Sequence, residues 1–294
     1  LGLVSVSSLP SEAFVDLSKL IDTVWTQGRT LYRDLPWRNT RDPYAIWISE
    51  VMLQQTQVSR VDGRWQRWIE RFPSVEALAQ APLADVLGEW QGMGYNSRAK
   101  RLQACAQQIC RDHGAVMPSN YKELVALPGI GPATAAGIRA FAFDEPGVYL
   151  ETNVRTVFIH ELFPNEEKVD DKQLVPLVEA ACPAAGEDVR GWYYALLDYG
   201  AYLKKIHPNP SRRSKQHTKQ SKFEGSHRQK RAFVLRCVLA GPKQTRQIAD
   251  ELDAFELGEG RAAVHPDELA SILAELQQEG MIAQGDDGMW GVAE

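Results

Sequence analysis

Leu127-Pro128-Gly129-Ile130-Gly131-Pro132-Ala133-Thr134-Ala135-Ala136-Gly137-Ile138 lies between two stretches of helical pattern. Ahead of it, Ser119 or Asn120 can cap a short helix with Glu123 in its first turn. Leu124, Leu127 and Ile130 give that segment an apolar side. Two glycines around one apolar residue permit a positive φ and a tight bend with no Cβ over the turn. Pro132 suits the first position of a second helix, where a missing N–H costs nothing. The Ala-rich run to Phe143 can then pack closely. The pattern predicts two helices joined by a hairpin, with backbone N–H groups facing outward at a helix N-terminus. Such a terminus receives anions, and a nucleic-acid phosphate is the expected one. An ordinary αα-hairpin fits the same glycine spacing, so the flanking segments have to distinguish the two.

The chain has 294 residues, 44% hydrophobic and 24% charged, enough for one large domain plus a small one. No apolar run approaches the ~18 residues of a membrane span. Leu1 to Pro10 has an apolar patch but no basic flank, so no signal peptide is expected. Cys105, Cys110, Cys182 and Cys237 are scattered, which fits reduced thiols better than disulfides or a metal cage. The net charge of −5 is unevenly spread. Lys204 to Arg231 holds ten Lys/Arg and one acid, whereas Ala232 to Glu294 holds four Lys/Arg and twelve acids. The basic block is where a polyanion is expected, and a solvated linker is the plainer alternative. His207, His217 and His227 within it lack companion ligands and read as solvated.

Phe14 to Tyr32 reads as a helix with Phe14, Leu17, Leu20, Ile21, Val24 and Trp25 on one face. Pro43 fits a helix start. Tyr44, Trp47, Ile48, Val51 and Met52 then recur as an amphipathic stripe. Glu50 flanks that stripe. It is either a surface residue at the stripe's edge or a carboxyl in an apolar pocket, where its pKa would rise and it could deliver a proton at neutral pH.

Leu35 to Arg41 and the run Asp42-Pro43-Tyr44-Ala45-Ile46-Trp47-Ile48-Ser49-Glu50-Val51-Met52-Leu53-Gln54-Gln55-Thr56-Gln57-Val58 resemble the MutY family of adenine DNA glycosylases. Arg71-Phe72-Pro73, Trp90 to Tyr95, Arg98-Ala99-Lys100 and the hairpin extend the resemblance. It runs from about Leu35 to Val157, and more weakly to Gly200. It implies an all-α, two-lobed helix-hairpin-helix (HhH-GPD) fold with a cleft between the lobes. The enzyme would flip a base out of double-stranded DNA. Glu50 would protonate the base, and a second carboxylate would stabilise the sugar cation, the two-carboxylate logic of glycoside hydrolysis. Arg38 would hold the acid region, Gln55 and Tyr95 would fill the vacated stack, and Thr56 would touch the opposite strand. Gly129 and Gly131 would meet the DNA backbone, and Asn153 would be a supporting amide.

Three departures from the family stand out. Its Leu-Asp-Gly-Asn-Val reads Leu150-Glu151-Thr152-Asn153-Val154 here, so the second carboxylate would be Glu151, one methylene longer. A plainer role for Glu151 is a first-turn acid with Thr152 as cap. At Ala133 the strand-nicking relatives carry a Schiff-base lysine, so hydrolysis without strand cleavage is expected. Residues 201–231 contain no cysteine, so no iron–sulfur cluster is expected. Lys204, Lys205, Arg212, Arg213, Lys215 and Lys219 would take over that loop's DNA contact. No metal site is expected otherwise, though a monovalent cation at the hairpin stays open.

The expected division is a glycosylase domain over 1–227 and a small domain over 228–294. Within the first, a six-helix lobe covers about 42–150, and a second lobe combines 1–41 with 151–227, including the basic loop 204–231. Three helices (Ala232 to Ala240, Thr245 to Ala254, Pro266 to Glu279) and a hairpin about Gly285-Asp286-Asp287-Gly288 resemble a winged helix. This copy is acidic, which favours packing or a protein partner over DNA reading. The family's Nudix-like domain is not recognisable in the sequence. The expected function is a monofunctional glycosylase in base excision repair, in the cytoplasm at the nucleoid, most readily removing adenine opposite 8-oxoguanine or guanine. The alternatives are the same chemistry on uracil, mismatched thymine or hypoxanthine, and a non-catalytic DNA-binding protein.

Overall fold

A computed structural model describes residues 3–5, 14–219 and 221–293. Strands β1 (Leu3–Ser5) and β2 (Phe14–Asp16) pair antiparallel, with Val4 opposite Val15. The expected helix from Phe14 therefore starts later, as α1 (Ser18–Leu31), where Asp16 accepts a hydrogen bond from the Ser18 N–H at 2.9 Å. A 3-10 turn over Pro36–Arg38 leads into α2 (Pro43–Leu53). Asp42 caps α2 through the N–H groups of Tyr44 and Ala45, and Pro43 takes the first turn. Five helices follow: α3 (Val58–Val61), α4 (Arg64–Arg71), α5 (Val75–Gln80), α6 (Leu83–Glu89) and α7 (Ser97–His113). The hairpin helices are α8 (Tyr121–Ala126), capped by Asn120, and α9 (Pro132–Phe143). Then come α10 (Thr152–Leu162), α11 (Asp171–Ala184) and α12 (Val189–Ile206). The last elements are α13 (His227–Leu239), α14 (Thr245–Gly258), α15 (Pro266–Gln278) and the antiparallel hairpin β3 (Ile282–Gln284) and β4 (Trp290–Val292).

The chain divides into two units, Leu1–Gln54 with Met117–Lys219, and Gln55–Val116 with Gln220–Glu294. These boundaries differ from the expected break at 227/228. The C-terminal helices are not an appendage, because α13 packs on α6 and Lys100 of α7 donates to the Glu279 carbonyl. The first lobe edge also differs, since α2 packs with α9 and α9 packs with α12.

In the first unit, α12 lies against α1 and α10. Gly28 and Gly200 permit this. A Cβ on Gly28 would stand 2.3 Å from the Ala195 Cβ, and one on Gly200 would stand 2.3 Å from the Asn153 carbonyl oxygen. Val24, Phe141, Val157, Phe158, Leu177, Trp192 and Leu196 fill the core between these helices. Helix α2 is not the simple amphipathic stripe its spacing suggests. Tyr44 through Ser49 are all buried, and Glu50 is the first residue after them to keep an opening to solvent. Among the described residues no helix is long and apolar enough to cross a membrane.

Candidate active site

The hairpin takes the predicted form. Gly129 has φ 77°, the left-handed region its turn requires, and Gly131 is the N-cap of α9 with no side-chain cap. The first-turn N–H groups of α9 are thus left without a side-chain acceptor from the cap. Gln54, at the end of α2, donates to the Thr134 hydroxyl at 3.1 Å and ties α2 to the hairpin helix.

That tie brings Glu50 against α9. The glycine at 137 is what makes room, because a Cβ there would lie 2.3 Å from Glu50 Oε2 and 2.9 Å from Tyr149 Cε2. Tyr149 is buried, edge-on to Phe141 and Tyr193, and its ring and the Glu50 carboxyl both border Gly137. The surrounding protein strips water from that carboxyl and pushes its pKa up to about 8. The Tyr149 phenol pulls the other way and the Glu151 charge adds to the rise. Burial and the same two carboxylates also push the Tyr149 phenol well above its ordinary range.

Glu151 is not a first-turn acid capped by Thr152. It is itself the N-cap of α10, with Oε1 accepting from the N–H groups of Asn153 at 2.6 Å and Val154 at 3.1 Å. Burial raises its pKa, while Lys204, the two N–H groups and Arg155 oppose the rise. Oε2 accepts no hydrogen bond from any described residue. The Asn153 side-chain Oδ1 is buried and also without a hydrogen-bond partner among the described residues. Glu50 and Glu151 belong to one unit, so the two acids meet within it and not across two lobes, as the sequence implied.

Arg38 is not placed to touch a base. It is buried, forms a two-pronged ion pair with Asp198 at 2.7 and 2.8 Å, and stacks over Tyr194 at 4.3 Å. Arg33 adds a third bond to Asp198 at 2.5 Å. Arg38 thus supports the pocket wall through Tyr194, whose own phenol feels both Arg38 and Glu50. Arg213 likewise spends its guanidinium on the carbonyls of Ile159, Phe163 and Glu166 at the end of α10. It caps the end of α10. Lys204 is half-buried, whereas Lys205, Arg212 and Lys219 are exposed. The basic block ends in internal pairs: Lys230 with Glu268, Arg231 with Glu275 and Glu279, and His227 with Glu275. His227 is therefore not simply solvated, and His207 stacks on His160.

The other unit carries the remaining predicted residues. Gln55 (φ 53°) and Tyr95 (φ 48°) are both left-handed without being glycine, and both are exposed. Such backbone costs about 1–3 kcal/mol and persists where the surroundings impose it. Arg98 is one of those surroundings. It is buried over the Trp90 ring and donates to the carbonyls of Met93 and Gly94 and to the Thr56 hydroxyl. Arg228, at the start of α13, donates to the Tyr95 hydroxyl at 3.1 Å. Nothing in the sequence singles out Tyr149, Gly137, Asp198 or Arg228, because no local signal marks a residue whose task is to meet another element.

A cysteine-ligated cluster would need its thiolates together. Cys105 and Cys110 lie on α7, Cys182 on α11 and Cys237 on α13. No group of three metal-ligating side chains gathers among the described residues. This donor set does not fit a cluster.

Residues 48–181 match the family described as HhH-GPD superfamily base excision DNA repair protein. That stretch is a little under half of the chain. The matched stretch holds Glu50, the hairpin and Glu151 together. Adenine DNA glycosylase of Buchnera aphidicola subsp. Baizongia pistaciae is 35% identical over 172 residues, covering 58% of this chain and 48% of that protein. The enzyme of the same name from Mycobacterium tuberculosis (strain CDC 1551 / Oshkosh) is 46% identical over 127 residues, covering 43% of this chain and 42% of that one. The chain thus spans about half the length of these curated relatives. Among solved structures, a thermostable thymine-DNA glycosylase superposes with TM-score 0.55 at 28% identity, over 62% of this chain and 85% of that one. A trapped endonuclease III–DNA covalent intermediate superposes with TM-score 0.53 at 20% identity, over 63% and 85%, and bears on the HhH-GPD fold alone.

Proposed function

We propose that this protein is a monofunctional DNA glycosylase of base excision repair, hydrolysing the N-glycosidic bond of a base flipped out of a mispaired duplex, with adenine as the preferred base. The observation that carries this reading is a pair of largely enclosed acids in one unit with different surroundings. Glu50 is held protonated near neutral pH beside an apolar wall, and Glu151 is held by two N–H groups at a helix start. Burial raises both carboxyls, and the N–H groups of Asn153 and Val154 oppose the rise at Glu151 alone, which fits a proton donor beside a charge stabiliser. Glu50 gives its proton to a ring nitrogen of the base, which then leaves as a neutral molecule. The free oxygen of Glu151 faces the electron-poor sugar carbon, and water completes the hydrolysis. Tyr149 fixes the Glu50 carboxyl, and the unpartnered Asn153 Oδ1 is available to a sugar or water. Gln55 and Tyr95 enter the space left by the base, and the hairpin N–H groups of α9 hold a phosphate.

The names of the curated relatives support adenine. The 28%-identical thymine-DNA glycosylase structure supports a second reading, mismatched thymine, on the same two acids. Ala133 supports hydrolysis without strand cleavage, and the scattered cysteines support catalysis without a cluster. The test is a panel of labelled duplexes carrying A opposite 8-oxoguanine, A opposite G, T opposite G, U opposite G and hypoxanthine opposite T. Each is incubated with protein and then split with or without alkali. Strand breaks that need alkali, are fastest for adenine and vanish in Glu50→Gln support the proposal. Binding without base release from any duplex sinks it.

A further inference from the structure

The residues leading into α13, Ser221-Lys222-Phe223-Glu224-Gly225-Ser226, fold into a tight turn. The Phe223 carbonyl accepts from the Ser226 N–H at 3.0 Å and from its hydroxyl at 2.6 Å, and Gly225 takes φ 72° to close the loop. Arg228, in the first turn of α13, ties that turn to another loop. One guanidinium nitrogen donates to the Ser221 carbonyl at 2.9 Å and hydroxyl at 3.3 Å, and the other donates to the Tyr95 hydroxyl at 3.1 Å. A planar fork suits such bridging, because its donors point in fixed directions. The same guanidinium lies 5.9 Å from the centre of the Tyr95 ring, and that of Arg98 lies 5.7 Å from it. Two loops far apart in sequence are thus stapled together within one unit. Both present an aromatic ring to solvent: Tyr95 is 43% exposed and Phe223 is 47% exposed, although a phenyl ring is ordinarily buried.

From this geometry we infer that the turn from Ser221 to Gly225 is a second DNA-contacting arm, in which Phe223 stacks on a base beside the vacated site and Lys222 meets a phosphate. The inference rests on the glycosylase reading above and gives the segment before α13 a task within it. Flipping one nucleotide out of a duplex leaves its neighbours with exposed faces. Aromatic rings set among cations hold such bases, because every base offers a π-face. In that reading Tyr95 enters the gap, and the Arg228 staple sets the Phe223 turn beside the same loop. Lys222 adjoins the ring, and Glu224 is the one acid between Ser221 and Arg228. The turn is backed by Arg261, whose Cδ is 3.2 Å from where a Cβ on Gly225 would stand and whose guanidinium is fixed to Glu256 at 2.6 Å.

The test is photo-crosslinking. p-Benzoylphenylalanine is placed at position 223 and, in a second protein, at position 257, where Leu257 of α14 is 59% exposed. Each protein is irradiated with an end-labelled duplex carrying 2′-fluoro-2′-deoxyadenosine opposite 8-oxoguanine, whose fluorine disfavours the sugar cation and keeps the base attached. Position 223 should form adducts within about three nucleotides of the mispair, roughly 10 Å along a strand. Position 257 should form none. Phe223→Ala should bind the same duplex about tenfold more weakly, the scale of one lost base stack, with its salt slope and thermal melt unchanged. Phe223→Trp should restore the affinity, and Lys222→Ala should lower the salt slope by about one. Binding by Phe223→Ala equal to wild type overturns the inference. So does duplex binding without adducts at 223, which would mark the ring as structural or as a dock for a protein. Adducts at 223 from a protein that releases no base from the unmodified mispair would end the glycosylase reading and leave the arm standing. Base release without adducts at 223 would do the reverse.

Discussion

Gly137 and Glu50 occupy one another's space: a Cβ on the glycine would fall 2.3 Å from the acid's Oε2. The position of the proposed proton donor is therefore set by a hydrogen atom on a neighbouring helix. Gly137→Ala should keep the fold, because alanine favours a helix interior by about 1 kcal/mol. The same change crowds the carboxyl and the Tyr149 ring together, and the ring is buried and cannot retreat. Base release should drop by about a hundredfold, the scale of a 1 Å misplacement. A thermal melt that stays cooperative, beside single-turnover rates, checks both halves.

The pH dependence of Glu50 has a defined sign. A donor titrating near 8 is protonated at neutral pH, so base release should fall tenfold per pH unit above that value, and fall again on the acid side where Glu151 takes up a proton. Stability moves the same way on the alkaline side. The folded state holds a proton that the unfolded chain has released between the ordinary 4.5 and about 8. The contribution is complete below 4.5 and is lost as pH rises through 8. Glu50→Gln should therefore gain melting temperature over wild type at pH 8.5 and not at pH 4.5. Equal differences at both values would refute the burial of this carboxyl.

Arg38 should matter to folding more than to DNA. Removing it leaves Asp198 buried with only the half-exposed Arg33, and breaking a buried pair costs about 3–5 kcal/mol. Arg38→Ala should lower the unfolding free energy in urea by that amount while leaving the salt slope of DNA binding unchanged. Arg213→Ala should behave alike, since it strips the end of α10 of its donors.

The exposed cations are the ones expected to meet phosphate. Neutralising Lys205, Arg212, Lys219 and Lys222 together should reduce the slope of log affinity against log salt by about one for each phosphate they neutralise. Neutralising Lys230 and Arg231 should leave that slope alone and lower the melting temperature, because those two are paired with α15.

Tyr95 is held left-handed by a loop that Arg98 and Arg228 brace. Tyr95→Gly relieves the backbone and removes the ring, so stability should not fall while base flipping does. A 2-aminopurine probe beside the mispair reads the second effect. Arg228→Ala should weaken the same fluorescence signal by loosening the Tyr95 hydroxyl. A signal identical to wild type would show that α13 plays no part in that loop.

The order of helices is legible along most of the chain, because capping residues, prolines and apolar spacing act within a turn or two. Asn120 before α8, Pro132 opening α9 and the spacing of Leu269, Ile272, Leu273 and Leu276 on α15 are of this kind. Phe14 to Asp16 misleads because a strand partner about ten residues away outcompetes a local helical pattern. Tyr44 to Ser49 misleads because burial on all sides is imposed by packing, and an apolar spacing cannot report it.

The identity of the two acids, the hairpin between them and the missing lysine at 133 were determined by the amino-acid order alone, since each is a matter of residue type at a position. Which cations are spent and which are free was settled only when the chain folded. Arg38 went to Asp198, Arg213 to the carbonyls of α10, and Arg231 to Glu275. A charge along a chain has no partner until folding brings one within a few ångströms, and its task depends on which partner that is.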